Sequence, residues 1–260
     1  MQNVVHSAMQ GYTKWAFTAP LASGRQVTHD IYSRGEGPIV VIIQELPGIG
    51  RETLHLADLF VKDGFKVVLP HLFGPLGRTS MFRNTLRVLC MRREFSIFAR
   101  NKTSPVVDWL RALCQKLKAD HGVDGVATIG MCLTGNFAIS LMADDAVLAS
   151  VASQPSLPIA KHSGLHMSKG DIERIRDRID VTGPMKAYRF EKDPLCRAAK
   201  FNAIDKAFNT DRERVTTKTL PGKGHSVLTL DFVDEAGHPT REAFDEVLAY
   251  FKDKLRAASV

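Results

Sequence analysis

Cysteine is scarce in this chain of 260 residues, and its four cysteines are irregularly spaced without a Cys-x-x-Cys pair. This scarcity excludes a fold held together by disulfides and is typical of a reducing compartment. No apolar stretch approaches the roughly 20 residues that a membrane helix needs. The first eleven residues lack the charged start and apolar run of a secretory signal. We therefore expect a cytoplasmic protein that contacts no membrane and holds no structural zinc.

Acidic residues are also fewer than basic ones, 28 against 35, which gives a net charge of +7. Seven basic residues and one acidic residue lie between Arg78 and Lys102, so this window alone carries +6. We interpret it in three ways. The three interpretations are a solvated helix face, a lid whose positive field attracts an acidic substrate, and a surface for nucleic acid. The third is the weakest, because no nucleic-acid-binding motif accompanies the charge.

Internal repeats and low-complexity tracts are absent, and the apolar residues instead form short runs separated by helical patterns. An alternating stretch at 14–33 predicts an antiparallel hairpin. The near-continuous β-branched run at Pro38–Ile43 is typical of a strand buried on both faces. Further strands are predicted at Phe65–Leu69, Val123–Ile129, Val147–Ala152, Met185–Phe190 and Val215–Leu220. This alternation predicts an α/β fold, with a doubly wound, mainly parallel sheet and helices on both faces.

No linker divides the chain, so we expect a single domain over residues 1–260. Two segments interrupt the alternation of strand and helix, the basic one at 78–103 and a polar one at 154–180 with a charged helix near its end. Both follow the end of a predicted strand, where functional insertions usually lie.

A candidate nucleophile, Cys132, follows the strand predicted at Val123–Ile129. It lies in the sequence Gly130-Met131-Cys132-Leu133-Thr134-Gly135, directly before a predicted helix. A nucleophile on a sharp turn between strand and helix needs small neighbours, and the start of a helix favours the thiolate form of a cysteine. The alternative is that Cys132 only fills space under the helix, as most free cysteines do.

Two partners for Cys132 follow later in the chain, each after its own predicted strand. Asp193 lies in an acidic turn, and His225 lies in a later loop, directly after Gly224. Nucleophile, acid and histidine in that order form the arrangement of the α/β-hydrolase triad. In that arrangement Asp193 holds the ring of His225, which pairs with Cys132. Taken singly, Asp193 is better explained as a helix cap before Pro194, and His225 is equally well explained as a solvated loop residue.

Glu45 is unusual because it directly follows the apolar strand at Pro38–Ile43. A carboxylate there needs a partner if it is buried, unless it lies on the rim and faces water. The same loop is expected to supply one backbone N–H of an oxyanion hole, from Leu46. The other is expected from Leu133, and neither residue is a proline that would lack the hydrogen.

From about Pro38 to its end the chain resembles the dienelactone hydrolase family of α/β-hydrolases. The resemblance rests on Gln44-Glu45-Leu46-x-Gly48, Gly130-x-Cys132-Leu133-x-Gly135, Phe190-x-x-Asp193-Pro194 and Gly224-His225-Ser226. It implies a cysteine hydrolase that cleaves a small lactone or activated ester without a metal or organic cofactor. It also implies that Glu45 contacts the resting thiol and helps to form the thiolate when substrate arrives.

Three features of this chain depart from the family pattern, one of which is that the segments at 78–103 and 154–180 cannot be matched to it residue by residue. Thr134 lies two residues after the nucleophile, where the family usually has glycine. The stretch Ser226–Thr229 also contains no arginine, although characterised members hold the substrate carboxylate with one shortly after the catalytic histidine. The chemistry therefore transfers to this chain more readily than the choice of substrate.

Three alternatives to a lactone hydrolase stay open. The nearest is a carboxylesterase or thioesterase with the same triad. From other classes, the chain could be a hydrolase scaffold used only for binding, with the basic segment as its contact surface, or a thiol redox sensor built on Cys132.

Overall fold

We analysed a computed structural model of the chain. It describes residues 9–21, 23–45, 48–74, 76, 105–157, 163–165 and 167–256. The basic segment at 78–103 lies outside these residues, as does Leu46. The interpretation of the basic segment as a lid, a solvated face or a nucleic-acid surface stays a prediction.

The described residues form eight strands in one sheet. The strands are β1 (Thr13–Pro20), β2 (Gln26–Arg34), β3 (Ile39–Ile43), β4 (Lys66–His71), β5 (Val126–Met131), β6 (Val147–Ser153), β7 (Met185–Phe190) and β8 (Val215–Leu220). Their order across the sheet is β1-β2-β4-β3-β5-β6-β7-β8. The first two pairings are antiparallel and the remaining five are parallel. The predicted hairpin and the mainly parallel sheet are thus confirmed.

Six helices connect or follow these strands within the described ranges. They are α1 (Arg51–Lys62), α2 (Pro105–His121), α3 (Gly135–Leu141), α4 (Lys169–Thr182), α5 (Ala198–Phe208) and α6 (Pro239–Arg256). A single 3-10 turn, Cys132–Thr134, joins β5 to α3. None of the helices in these ranges is both long and apolar enough to cross a membrane.

Alternation along β3 explains why the sheet carries helices on both faces. Ile39, Val41 and Ile43 pack with apolar residues of α2 to α5, whereas Val40 and Ile42 pack with those of α1 and α6. Successive side chains of a strand point to opposite faces, so a run that is apolar throughout requires a layer of helices on each side. The chain therefore folds as an α/β protein of three layers, as predicted.

The polar segment at 154–180 includes most of helix α4 and is anchored to the body of the domain at several points. The buried side chain of Lys200 donates hydrogen bonds to the carbonyl oxygens of Leu157 and Gly164. Asn136, on α3, accepts from the Leu157 N–H and donates to the carbonyl of Leu165. Burial is the main reason that the pKa of Lys200 falls to about 8. These contacts hold the start of the segment against the helix that follows Cys132.

Parallel pairing sets the location of the candidate site. Strands β3, β5, β6, β7 and β8 run in the same direction, so the loops that follow them lie at one edge of the sheet. Glu45, Cys132, Gln154, Asp193 and His225 each lie in one of these loops. Ligands of open α/β sheets bind at this edge.

Candidate active site

Cys132 occupies a strained turn between β5 and α3. Its φ is +57°, which is uncommon for a residue with a side chain, and only 5% of its surface is exposed. A Cβ atom on Gly130 would lie 2.1 Å from the Thr134 carbonyl oxygen, and one on Gly135 would lie 2.9 Å from the Cα of Pro155. Both positions therefore require glycine. Such a turn, with small residues packed around it, is the geometry of a nucleophile on a strand-to-helix elbow.

Asp193 and His225 lie in direct contact. The ring Nδ1 of His225 is 3.0 Å and 2.8 Å from the two carboxylate oxygens of Asp193. The backbone N–H groups of Leu195 and Cys196 donate to the Oδ1 of Asp193, each at 2.8 Å. Asp193 is 4% exposed, and its carboxylate is held by these two donors. It therefore fixes both the orientation and the tautomer of the imidazole.

The electrostatic environment of His225 favours its protonated form. Burial lowers its pKa, but the hydrogen bond with Asp193 and then the contact with Cys132 outweigh burial and raise the pKa to about 10. The other ring nitrogen, Nε2, is buried and forms no hydrogen bond of ordinary geometry within the described part of the chain. This nitrogen is therefore available to exchange a proton with the thiol, and such contacts often shorten only when substrate binds.

Glu45 is buried rather than on the rim of the site, with 2% of its surface exposed. Its carboxylate accepts hydrogen bonds from the hydroxyl groups of Thr229 and Ser226, the latter at 3.0 Å, and from the Nε2 of Gln154 at 3.4 Å. Burial raises the pKa of Glu45, and the three hydrogen bonds act against that effect. The described side-chain hydrogen bonds of Glu45 thus go to these residues and not to Cys132. The contact between Glu45 and Cys132 stays a prediction.

Gln154 is a site residue that the sequence reasoning did not identify. It is fully buried at the end of β6, and its φ is +40°. Its side-chain oxygen accepts from Ser153 and, at 3.4 Å, from the N–H of Val227, while its amide group donates to Glu45. Gln154 thereby joins the loops after β3, β6 and β8. A polar residue directly after an apolar strand was its only signal in the sequence.

Asp231 is a second residue near the site that the sequence did not indicate. Its Oδ2 accepts from the backbone N–H groups of His225 and Ser226, at 2.8 Å and 2.9 Å. A Cβ atom on Gly224, whose φ is +153°, would lie 2.8 Å from the ring of Phe190. The loop therefore packs tightly around His225. The shape of the loop depends on the contact with Asp231, six residues after His225, and no local sequence pattern indicates this contact.

The other expected site groups are placed only in part. Leu133 follows Cys132 in the turn and is buried, as an oxyanion donor at that position would be. Leu46 lies outside the described residues, so the second donor stays a prediction. Within the described ranges, no three His, Cys, Asp or Glu side chains are grouped to hold a metal ion.

Solved structures share this fold over nearly the whole chain. A Klebsiella pneumoniae protein assigned to the dienelactone hydrolases superposes with a TM-score of 0.62 at 17% identity, covering 92% of this chain and 99% of its own. A dienelactone hydrolase-like promiscuous phosphotriesterase from metagenomic libraries gives 0.61 at 16% identity, with coverages of 93% and 98%. A cold-adapted esterase from an Arctic intertidal metagenomic library gives 0.60 at 15% identity, with 95% of each chain covered. At such low identities these likenesses show the fold alone.

The family assignment comes from the sequence itself. No curated protein matches the chain. The family model described as the dienelactone hydrolase family matches residues 28–255, a range that contains every candidate site residue. The structure brings the motifs of that range to one edge of an α/β sheet. The chain therefore belongs to the dienelactone hydrolase family.

Proposed function

We propose that the protein hydrolyses a small lactone or activated ester through a covalent acyl-enzyme on Cys132. The observation that carries this proposal is the strained turn at Cys132, together with a buried His225 whose Nδ1 is held by Asp193. Membership of a hydrolase family supports the same reaction class. The finer roles given below rest on this geometry and on the family resemblance.

The first half of the proposed reaction forms the acyl-enzyme. The raised pKa of His225 favours transfer of the Cys132 thiol proton to its Nε2, and the resulting thiolate attacks the substrate carbonyl carbon. The carbonyl oxygen becomes an oxyanion that accepts from the N–H of Leu133 and from that of Leu46. The oxyanion collapses, the carbon–oxygen bond breaks, and the imidazolium returns its proton to the leaving oxygen. In a lactone the hydroxyl group released in this way stays attached to the acyl group.

Water completes the proposed reaction. His225 removes a proton from the water molecule, which attacks the thioester carbonyl, and the imidazolium then protonates the departing sulfur. Asp193 stabilises the imidazolium in both halves of the reaction without itself taking the proton. The products are a carboxylic acid and the resting thiol, so each step uses only groups of this chain and water.

Glu45 is proposed to assist the first proton transfer by contacting the thiol when substrate arrives. Burial raises the pKa of this carboxyl group, which makes it a better proton acceptor. Its hydrogen bonds with Ser226 and Thr229 keep it in place at rest. A contact of Glu45 with Cys132 would either replace one of these hydrogen bonds or add to them.

The substrate class is proposed as a lactone or ester in the cytoplasm, and the basic segment at 78–103 would favour an acidic substrate. A carboxylesterase is the second candidate, because one structural neighbour is named as an esterase. A thioesterase would use the same groups. These options differ in the acyl and leaving groups rather than in the triad.

A substrate panel tests the proposed function. We expect the purified protein to hydrolyse p-nitrophenyl acetate and dihydrocoumarin faster than buffer, and to lose both activities after treatment with iodoacetamide. The ratio of rates on the ester, the lactone and a simple thioester would rank the three substrate classes. Absence of turnover on all three would contradict the proposal. If the inactive protein also bound polyanions in a salt-sensitive way, the hypothesis of a binding scaffold would replace that of a hydrolase.

A further inference from the structure

The Thr134 side chain forms hydrogen bonds at the turn that carries the nucleophile. The residue is fully buried and follows Cys132 by two positions. Its hydroxyl oxygen accepts the backbone N–H of Met131 at 2.9 Å. The same oxygen lies 2.8 Å from the Met131 carbonyl and 3.1 Å from the Ile43 carbonyl, and its proton serves these two acceptors. One hydroxyl group thus links the end of β5 to the end of β3.

This link lies where the pairing between the two strands stops. Strands β3 and β5 pair in parallel up to Ile43 and Gly130. Beyond that point the chains diverge, β3 toward Glu45 and β5 into the turn at Cys132. The Thr134 hydroxyl group holds the two ends together after the backbone ladder ends. A glycine at position 134 could not form this bond.

The turn needs such a bond because its backbone is strained. Cys132 has a positive φ, a conformation that persists only where surrounding contacts hold it. Thr134 accepts from Met131, the residue directly before Cys132, and reaches the strand that leads to Glu45. It therefore acts on both sides of the nucleophile, on the orientation of the thiol and on the separation of the two loops that carry the reacting groups.

We propose that Thr134 is a positioning residue whose hydroxyl group braces the nucleophile turn against β3 and so sets the place from which Cys132 attacks. The inference rests on the proposed function. A misplacement of about 1 Å can cost a reaction about 10²-fold, so the brace is expected to act mainly on kcat.

The test compares Thr134→Val, which keeps the shape and removes the hydroxyl, with Thr134→Ser, which keeps the hydroxyl. We expect the Thr134→Val variant to lose about 10-fold to 100-fold in kcat on p-nitrophenyl acetate, with KM changed by less than about twofold. We expect the Thr134→Ser variant to retain kcat within about threefold of the unmodified protein. Rescue by serine would show that the hydroxyl group, rather than the general packing, is responsible.

Thr128→Val is the matched control, because Thr128 is also buried in β5 and forms a hydroxyl bond, 2.8 Å long, with Ser150. We expect it to lower the melting temperature while leaving kcat unchanged.

If Thr134→Val does not fold, as judged by circular dichroism, the smaller Thr134→Ala replaces it with the same expected loss of kcat. Equal kcat in the unmodified protein and the hydroxyl-free variant would overturn the inference alone. An unmodified protein inactive on every ester would instead overturn the proposed function, and the inference with it.

Discussion

Cys132→Ala is expected to lower kcat for p-nitrophenyl acetate by at least about 10³-fold, because the proposed acyl-enzyme cannot form without the sulfur. Cys132 is nearly buried, and alanine removes one atom from a turn that is otherwise held by glycines and by Thr134. The fold should therefore survive the substitution. Steady-state release of p-nitrophenolate, followed by its absorbance, measures the effect.

Cys114→Ala is the control for this experiment. Cys114 is a free, fully buried cysteine on α2, and it forms part of the apolar layer between that helix and the sheet. Its loss should reduce stability through the small cavity that it leaves, without changing kcat. Full esterase activity in the Cys132→Ala variant would show that another group is the nucleophile.

Asp193→Asn is expected to lower kcat by about 10³-fold to 10⁴-fold through the tautomer of His225. The asparagine oxygen can still accept from Leu195 and Cys196, which both bond to Oδ1 of Asp193. Its NH₂ group then replaces the oxygen that lies 2.8 Å from the Nδ1 of His225. A donor at this place favours the tautomer with hydrogen on Nε2, which cannot accept the thiol proton.

The same substitution is expected to lower the pKa of His225 from about 10, because it removes the main group that raises it. NMR titration of the ring C–H signal measures this pKa directly. In the unmodified protein the signal should titrate well above neutral pH, and in the variant it should titrate at lower pH. Asp144→Asn is the control, since Asp144 is a buried carboxylate that accepts a backbone N–H from Ala146 in a different loop. Unchanged kcat in Asp193→Asn would remove Asp193 from the triad.

The strands could be predicted well where apolar runs end at clear breaks. The bounds of β7 and β8 agree with the sequence prediction at both ends. The prediction for β5 was wrong by three residues at its start and two at its end, since it took Val123–Ile129 and the strand is Val126–Met131. Gly130 was interpreted as the end of the strand, but it pairs with Ala152, and Met131 pairs with Ser153. Pairing with a neighbour decided this boundary, and the local pattern does not contain it.

The site was predictable to the extent that it follows chain order at the ends of strands. Cys132, Asp193, His225 and Glu45 each lie in the turn or loop that follows a strand, and parallel pairing brings these loops to one edge. Gln154 was missed because its role depends on a positive φ and on partners from two other loops. Such contacts are set by tertiary packing, and propensity does not reveal them.

The most direct test of the account is to locate the acyl group during turnover. The protein is mixed with p-nitrophenyl acetate, quenched in acid within the first turnovers, digested and analysed by peptide mass spectrometry. We predict one acetyl group on the peptide that contains Cys132, bound as a thioester that hydroxylamine removes. The Cys132→Ala variant should carry none on the corresponding peptide. An acetyl group that accumulates on a serine instead, or sustained turnover with Cys132 unmodified throughout, would contradict catalysis by this cysteine.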